Sequence, residues 1–468
     1  MLLRDCVSNA IPPYISRLKE VCHMAVKLRR ENVMSHFGHD GDQYDVIVAG
    51  GGPAGIGAAL GAAMNGAKTL LLEEKAYMGG VGAVSGWMPY NRLFRHGKSR
   101  HGVHELFVNK ILSYGPAASR PGKTSWTDGD GLHIHPDYLR LAILELFEEN
   151  GVDYLLHSPV SDVIKDDKRL IGVVCDGKYG RSVFYGKTFI DCTGDGDMAF
   201  RAGAKVMMGR ETDGMYMPVT LGFVVSNVDE DRLFHAIEQQ GYEAFIKQII
   251  DAEEEGYSVS MFYSFDKTTV PGIISVNNGG QRNLGIVNAL DIEDLNLSER
   301  TGLQVAIDFV KICHEKQIPG LENCYLIRTG QALGVRETRR IEGEYVLTME
   351  DAQQDKKFPD VVALRYGTID PGGLQEVRNF HGTIKDGHQY PYRCMLPKGV
   401  EGLLVAGRCA SLTHLGLTVA KSQGNMMGIG QAAGAACAIA ARQNITPRQV
   451  DVGQVQSCLK SMGVALEA

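Results

Sequence analysis

One short unit near the start of the chain restricts its fold more than any other feature. Tyr44 to Ala49 is an apolar run with the length of a buried strand. Gly50-Gly51-Gly52-Pro53-Ala54-Gly55 follows and fits G-x-G-x-x-G. A helix of small residues is then expected from Pro53 to about Asn65, stopped by Gly66, and Thr69 to Leu72 reads as a second strand. Two strands joined by a helix in this way pair in parallel, which predicts an α/β fold. Glycine turns alone are weak signals here, because 56 of the 468 residues are glycine against an average of about 7%. The context makes the motif specific: a strand precedes it, a helix follows, and the acidic Glu73 ends the second strand.

Each part has a physical task. Gly50 permits the tight turn, Gly52 lets backbone approach a pyrophosphate, and Gly55 lets the helix lie close to the sheet. The helix N-terminus at Pro53 and Ala54 offers free N–H groups and a positive dipole end to phosphates. Glu73 can accept hydrogen bonds from both hydroxyls of a ribose, which also argues against a 2′-phosphate and so against NADP. Glu74 and Lys75 lead into a second glycine turn, Gly79-Gly80-Val81-Gly82, which suits a long dinucleotide laid across the domain. A later T-G-D turn, Cys192-Thr193-Gly194-Asp195, follows a strand and brings backbone against the same ligand. Near the C-terminus Gly407-Arg408 ends another strand. Gly424-Asn425-Met426-Met427 then opens a helix rich in alanine and glycine. That helix starts where the pyrimidine end of a flavin can sit, and its dipole would stabilise negative charge there on reduction.

The chain divides by pattern into five parts. Residues 1–43 are a helical extension, with amphipathic spacing from Tyr14 to Met34 that suits docking on the body or on a second subunit. Residues 44–205 and 346–445 form a dinucleotide domain in two pieces. Residues 206–345 read as an inserted α+β unit, with a strand at Val219 to Val225 and one helix from Asp231 to Glu255, and 446–468 is a tail. Helices are also expected at Gly102 to Tyr114, Tyr138 to Phe147 and Met426 to Arg442. Short strands are expected at Val152 to Leu156, Val160 to Ile164, Leu170 to Cys175, Arg181 to Phe184, Thr188 to Ile190 and Leu403 to Ala406. No run reaches the ~20 apolar residues of a membrane span, and no signal-peptide pattern opens the chain. Ten scattered cysteines without C-x-x-C disfavour an iron–sulfur cluster, a zinc ribbon and a dithiol motif. These features predict a cytoplasmic protein with reduced thiols. A net charge of −7 argues against a broad nucleic-acid surface.

These residues resemble the FAD-dependent oxidoreductases of the glutathione-reductase-like superfamily, in the branch near the fumarate reductase and succinate dehydrogenase flavoproteins. The resemblance runs from Asp45 to Arg442. It is carried by Ile190 to Ala204, Gly209 to Phe223, Leu333 to Thr348, Pro391 to Pro397 and Val405 to Ala433. It implies a Rossmann-like FAD-binding domain with an inserted substrate domain, and a noncovalent FAD. It places Gly50, Gly52 and Gly55 on the pyrophosphate, Glu73 on the adenosine ribose and the Val160 backbone on adenine, with Thr193, Gly194, Asp195 and Arg408 nearby. Asn425 to Met427 would lie near the isoalloxazine. Lys421 stands where relatives often carry Arg, and Lys lacks the bidentate fork. Met78 to Ser85 lacks the histidine that links flavin in the succinate dehydrogenase branch.

For catalysis the candidates are Lys421, His414 and Arg336. Lys421 and His414 flank a glycine-bearing loop before the flavin helix. Arg336 belongs to a cluster with Arg328, Arg339 and Arg340, most of which are expected to pair with Glu337, Glu342 and Glu344. His96, His101 and His104 with Glu105 have no recognised metal spacing and read as a polar loop. His133 and His135 read as a solvated strand. The expected activity is hydride transfer between FAD and a small organic substrate, with no metal, an unknown electron acceptor, and homo-oligomerisation left open. The alternatives are a fumarate-reductase-like reductase of an activated C=C bond, a non-catalytic FAD-stabilised scaffold, and an RNA-modifying flavoprotein.

Overall fold

The computed structural model describes residues 38–121, 130–282, 284–367, 369, 384, 386–419 and 421–467. The amphipathic run Tyr14 to Met34 lies outside them. Strand β1 (Gln43–Ala49) is buried over Val46 to Ala49. It turns at Gly50 into α1 (Pro53–Ala63), where Pro53 supplies a preset φ at a position whose N–H has no helical partner. Strand β2 (Thr69–Leu72) returns parallel to β1, with Val46 opposite Thr69. Helices α2 (Val103–Ser113) and α3 (Pro136–Glu149) precede β3 (Val152–Leu155), which extends the parallel set.

Strands β4 (Val160–Asp166), β5 (Arg169–Gly177) and β6 (Gly180–Asp191) form an antiparallel meander. The two runs expected at Arg181 to Phe184 and Thr188 to Ile190 are one strand. Its first half pairs with β5 antiparallel and its second half with β1 parallel, and the change falls at Tyr185 and Gly186. The bare Gly186 leaves room for Ile47, whose Cδ1 stands 3.1 Å from where a β-carbon would be. A pattern break therefore marks a change of partner, and the strand continues through it.

A second sheet follows. Its strands are β7 (Phe223–Ser226), β8 (Tyr263–Lys267), β9 (Ile274–Asn278) and β10 (Tyr325–Thr329), all antiparallel in the order β8-β9-β7-β10. The single helix expected from Asp231 to Glu255 is instead α4 (Glu230–Gln240), α5 (Tyr242–Ile250) and a 3₁₀ turn, Asp251–Glu255. Gly241 at φ +80° breaks it. The long helix α6 (Ile292–Glu315) covers the sheet. Alternation along the strands sorts the two faces. Phe223, Val225, Phe265 and Val276 pack against Phe245 and Phe309, while Ser264, Asp266 and Ser275 form a buried polar face on the other side. The ladder Val206–Met208 with Arg339–Ile341 joins this unit to the first sheet's side of the molecule.

The chain then returns to the first sheet. Strand β11 (Leu403–Val405) pairs parallel to the end of β6, and the first sheet runs β3-β2-β1-β6-β5-β4. Helix α7 (Gln423–Gln443) is buried nearly throughout against α1. The approach is so close that a β-carbon on Gly430 would lie 1.9 Å from the Ala54 carbonyl oxygen. Among the described residues no helix is long and apolar enough to cross a membrane.

Candidate functional site: a cavity between two sheets

The C-terminal ends of β1, β2, β6 and β11 open into one cavity of about 1200 Å³, which runs on to the polar face of the second sheet. A single small-molecule pocket is usually about 300–1,000 Å³, so there is room for a dinucleotide and a second molecule. Crevices at the carboxyl ends of parallel strands are the usual ligand sites of such sheets.

The first half of the cavity is built from the glycine turn and its neighbours. Gly50 sits at φ +97°, and a β-carbon there would lie 2.3 Å from the Cys192 carbonyl oxygen. A β-carbon on Gly52 would meet nothing within 4 Å, so the turn presents bare backbone to the cavity. Glu73 ends β2 at the cavity wall. Its Oε2 accepts from Gly51 N at 2.6 Å and its Oε1 from Lys75 N at 2.9 Å. Burial pushes the carboxyl above the usual carboxylate range, against those two donors. Glu74, Lys75, Gly80, Val81, Val160, Cys192, Thr193 and Gly194 line the same half. In its middle Arg408 Nη2 pairs with Asp195 Oδ1 at 2.7 Å, and Arg408 Nη1 donates to Thr338 Oγ1 at 2.9 Å. Burial alone would raise the Asp195 carboxyl, but Arg408 and Thr338 outweigh it and hold it below its usual range.

Several expected cofactor residues shape the cavity from behind its surface. Gly55 packs on the Gly50 carbonyl, Gly82 lies beside Tyr90, and Gly407 abuts Ala54. Met426 and Met427 are buried, and the Met427 carbonyl faces Gly57. Gly424 lies under Arg92, and its N–H donates to Asn91 O at 2.9 Å. Asn425 does line the cavity. Its Oδ1 accepts from Arg100 Nη1 and from Tyr366 N, both at 3.1 Å.

The second half is lined by Val84, Met88, Pro89, Thr220, Ile246, Phe262, Asn277 and Asp266. Lys421 and Arg336 also face it. Lys421 Nζ donates to Met217 Sδ at 3.4 Å, and Arg336 donates to the Pro218 and Asn278 carbonyls at 3.0 and 3.3 Å. His414 stands elsewhere. It is fully buried, outside the cavity wall, with Nδ1 2.7 Å from Glu337 Oε2, and Glu337 Oε1 is 3.2 Å from Arg340 Nε. The arginine cluster therefore disperses. Arg340 pairs with Glu337, Arg339 with Asp197 at 2.6 Å, and Glu342 and Glu344 pair instead with Lys398 and Arg448.

Two expectations for histidines are overturned. His133 is buried, and burial together with Arg120 pulls it down to about 4; His135 caps α3 through Asp137 N. His104 is no polar-loop residue: it is buried on α2 and pairs with the Gly424 carbonyl at 2.7 Å. Burial holds it neutral, so Nε2 carries the donated proton. Four residues at the N-terminal end of α7, Asn91, Arg92, Arg100 and Tyr366, carried no sequence signal. They lie in irregular, polar stretches where charge gives no mark of burial.

Bare turn backbone, a buried acid at the end of the second strand and a helix N-terminus on one elongated cavity fit a dinucleotide and define a Rossmann-type nucleotide-binding enzyme fold. The chain belongs to the FAD dependent oxidoreductase family, whose model matches residues 45–459. It is similar to a digeranylgeranylglycerophospholipid reductase of Picrophilus torridus, 35% identical over 137 residues, covering 28% of this chain and 34% of that protein. A 3-oxosteroid 1-dehydrogenase of Mycolicibacterium smegmatis is 43% identical over 58 residues, 12% of this chain and 10% of that one. The chain thus matches about a third or less of the length of these curated relatives. Among solved structures, a geranylgeranyl bacteriochlorophyll reductase-like protein of Thermoplasma acidophilum is 16% identical, covers 90% of this chain and 83% of that one, and has a TM-score of 0.48. Membership of this family implies FAD as the cofactor.

Proposed function

We propose that this enzyme transfers a hydride between noncovalently held FAD and a small organic substrate seated between the flavin-helix end and the polar face of the β8-β9-β7-β10 sheet. The observation that carries the reading is the continuity of the cavity from Glu73 to Phe262 and Asn277. FAD supplies a two-electron centre that gives or takes a hydride. The chain's own residues do the rest. Gly50 to Gly52 and the α1 N-terminus would hold the pyrophosphate, and Glu73 the ribose. The Asn425 amide, fixed by Arg100 and Tyr366, would hold the α7 N-terminus in place toward the ring. Lys421 and Arg336 bring positive charge to the second half, where they can orient a substrate and, for Lys421, hold a proton. His414 acts at a distance, fixing Glu337 and Arg340 behind the wall. On this reading the cofactor domain is 44–205 with 346–445, and 206–345 is the substrate unit.

Noncovalent attachment is supported by the sequence Met78 to Ser85, which has neither His nor Cys. The test is the visible spectrum before and after acid precipitation, followed by anaerobic bleaching with a substrate panel. Flavin absorbance that stays in the pellet overturns noncovalent binding. A colourless chain that cannot be reconstituted overturns the flavoenzyme reading. A second reading, reduction of an activated C=C bond as in the fumarate reductase branch, is supported by the two cations on the substrate side. Reoxidation of reduced flavin by an unsaturated acid would select it.

A further inference from the structure

The cavity wall carries a guanidinium, that of Arg92, whose place the reading above does not explain. Arg92 lines the cavity with Asn91, Tyr366 and Asn425, and it is only 8% exposed. Its backbone lies at φ +63°, a region that side-chain-bearing residues rarely enter. Its surroundings are close-packed. Arg92 O accepts from Arg100 Nη1 at 2.7 Å, and a β-carbon on the neighbouring Gly424 would stand 2.1 Å from the same oxygen. On the other side Gly367 packs so tightly that a β-carbon there would lie 2.3 Å from Arg92 Nε. Strain of this kind persists only where the fold over-determines it, and it collects at ligand sites.

The charge of Arg92 is weakly matched. Its salt-bridge partner, Asp130, has Oδ2 3.8 Å from Nη1, well beyond the ~2.7–2.9 Å of a charge-assisted hydrogen bond. Asp130 Oδ1 is meanwhile taken by Gly97 N at 3.2 Å. Two more guanidinium groups, Arg95 and Arg100, stack on Tyr366, at 5.0 and 4.6 Å from its ring. Three guanidinium groups thus gather at this end against two carboxylates, Asp130 and Asp386, and the second of these is engaged by His96 Nε2 at 3.3 Å and by Gly367 N at 2.9 Å. A buried cation without a close anion is costly. The neighbouring wall (Val84, Met88, Pro89, Val419) is apolar, so the complementary ligand has an apolar body and one anionic group. The planar fork of arginine matches a carboxylate bidentately.

We propose that Arg92 binds the carboxylate of the substrate, and that the substrate of this enzyme is an organic acid. The inference rests on the cavity being the substrate site of a flavoenzyme. It assigns to the pocket a specificity-determining residue distinct from Arg336 and Lys421.

The test titrates the FAD-loaded protein with benzoate, its neutral isostere benzamide, and inorganic phosphate, following the flavin difference spectrum. Saturable perturbation by benzoate, and by neither of the others, is expected. Arg92→Asn, chosen because Asn tolerates the left-handed backbone, should weaken benzoate binding by about tenfold or more. Arg92→Lys should fall between the two and keep its flavin. If Arg92→Asn does not fold, Arg92→Lys decides, and benzoate affinity equal to the parent overturns the proposal. Benzoate without effect on the loaded parent, phosphate acting in its place, or loss of FAD from Arg92→Lys with benzoate affinity unchanged would each overturn it too. If the chain holds no flavin, the flavoenzyme reading fails by itself. The thermal midpoint with benzoate against benzamide then still decides whether Arg92 binds carboxylate.

Discussion

Gly50 has no tolerance for a side chain. Its φ of +97° is strained for any other residue, and a β-carbon would be driven to within 2.3 Å of the Cys192 carbonyl. Gly50→Ala is expected to cost about 1–3 kcal/mol of stability and to weaken FAD binding in the same variant, because the turn and the T-G-D segment must part. Urea unfolding and an FAD titration check both, and an unchanged urea midpoint would refute the account. Glu337 makes the opposite case, a charged residue in the core. Glu337→Gln removes the carboxylate that pairs with His414 and one of the two that pair with Arg340, Glu211 being the other, and breaking a buried pair of this kind costs roughly 3–5 kcal/mol. None of these residues lines the cavity, so the visible flavin spectrum should survive at temperatures where the variant stays folded. Loss of turnover with stability intact would show that His414 takes part in the chemistry after all. The two residues differ in how readably they are written. A turn that only glycine can make appears in the sequence as glycine, and Glu73 follows at a fixed spacing. Burial of Arg92 or Glu337 leaves no local mark, because the chain that buries each one lies far off in sequence.

Among elements, the pair α1 and α7 sets the depth of the cavity, since both begin at its wall. Their contact is made by small residues. Gly430→Ala would place a methyl 1.9 Å from the Ala54 carbonyl oxygen, in the first turn of α1. The helices must then separate, at about 1–3 kcal/mol for overpacking. The expected result is a lower thermal midpoint and weaker FAD affinity together, and a stable variant that binds FAD normally would rule out this packing. The β1-α1-β2 unit and α7 were legible because their patterns are unbroken apolar runs and small-residue faces. Helix α6 was not. Its buried stripe includes Ser298, Thr301 and Asp308, while Leu297, Leu303 and Ile307 are exposed, so apolar spacing does not trace its inner face. The break at Gly241 and the joining of two expected strands into β6 have one lesson between them. A glycine ends an element in one place and lets a strand change partners in another, and only the tertiary contact decides which.

At the scale of the whole molecule, burial of titratable groups defines a pH window. His104 and His133 are buried and neutral, with His133 pulled down to about 4. In the unfolded chain both titrate near 6.5. Below that pH the unfolded state binds more protons than the folded one, so stability is lost as pH falls toward 4. The His133 share alone is roughly 3 kcal/mol at the full shift. On the alkaline side, burial pushes the Cys175 and Cys437 thiols up to about 12, and Cys192 and Cys409 also rise. Unfolded thiols ionise near 8.5, so above that pH the folded state holds the extra protons and stability falls again. A plateau between about pH 6.5 and 8.5 is the consequence. Urea midpoints measured from pH 5 to 10 should trace it, and a flat profile would contradict the burial of these groups. His133→Gln separates the acid limb into its parts. The Nδ1 of His133 makes no hydrogen bond, so the substitution removes the proton linkage with little loss of contact. The midpoint of the variant should therefore fall less steeply between pH 6.5 and 5 than that of the parent. An equal slope would assign the whole limb to His104, and with it to the contact that ties α2 to the start of α7.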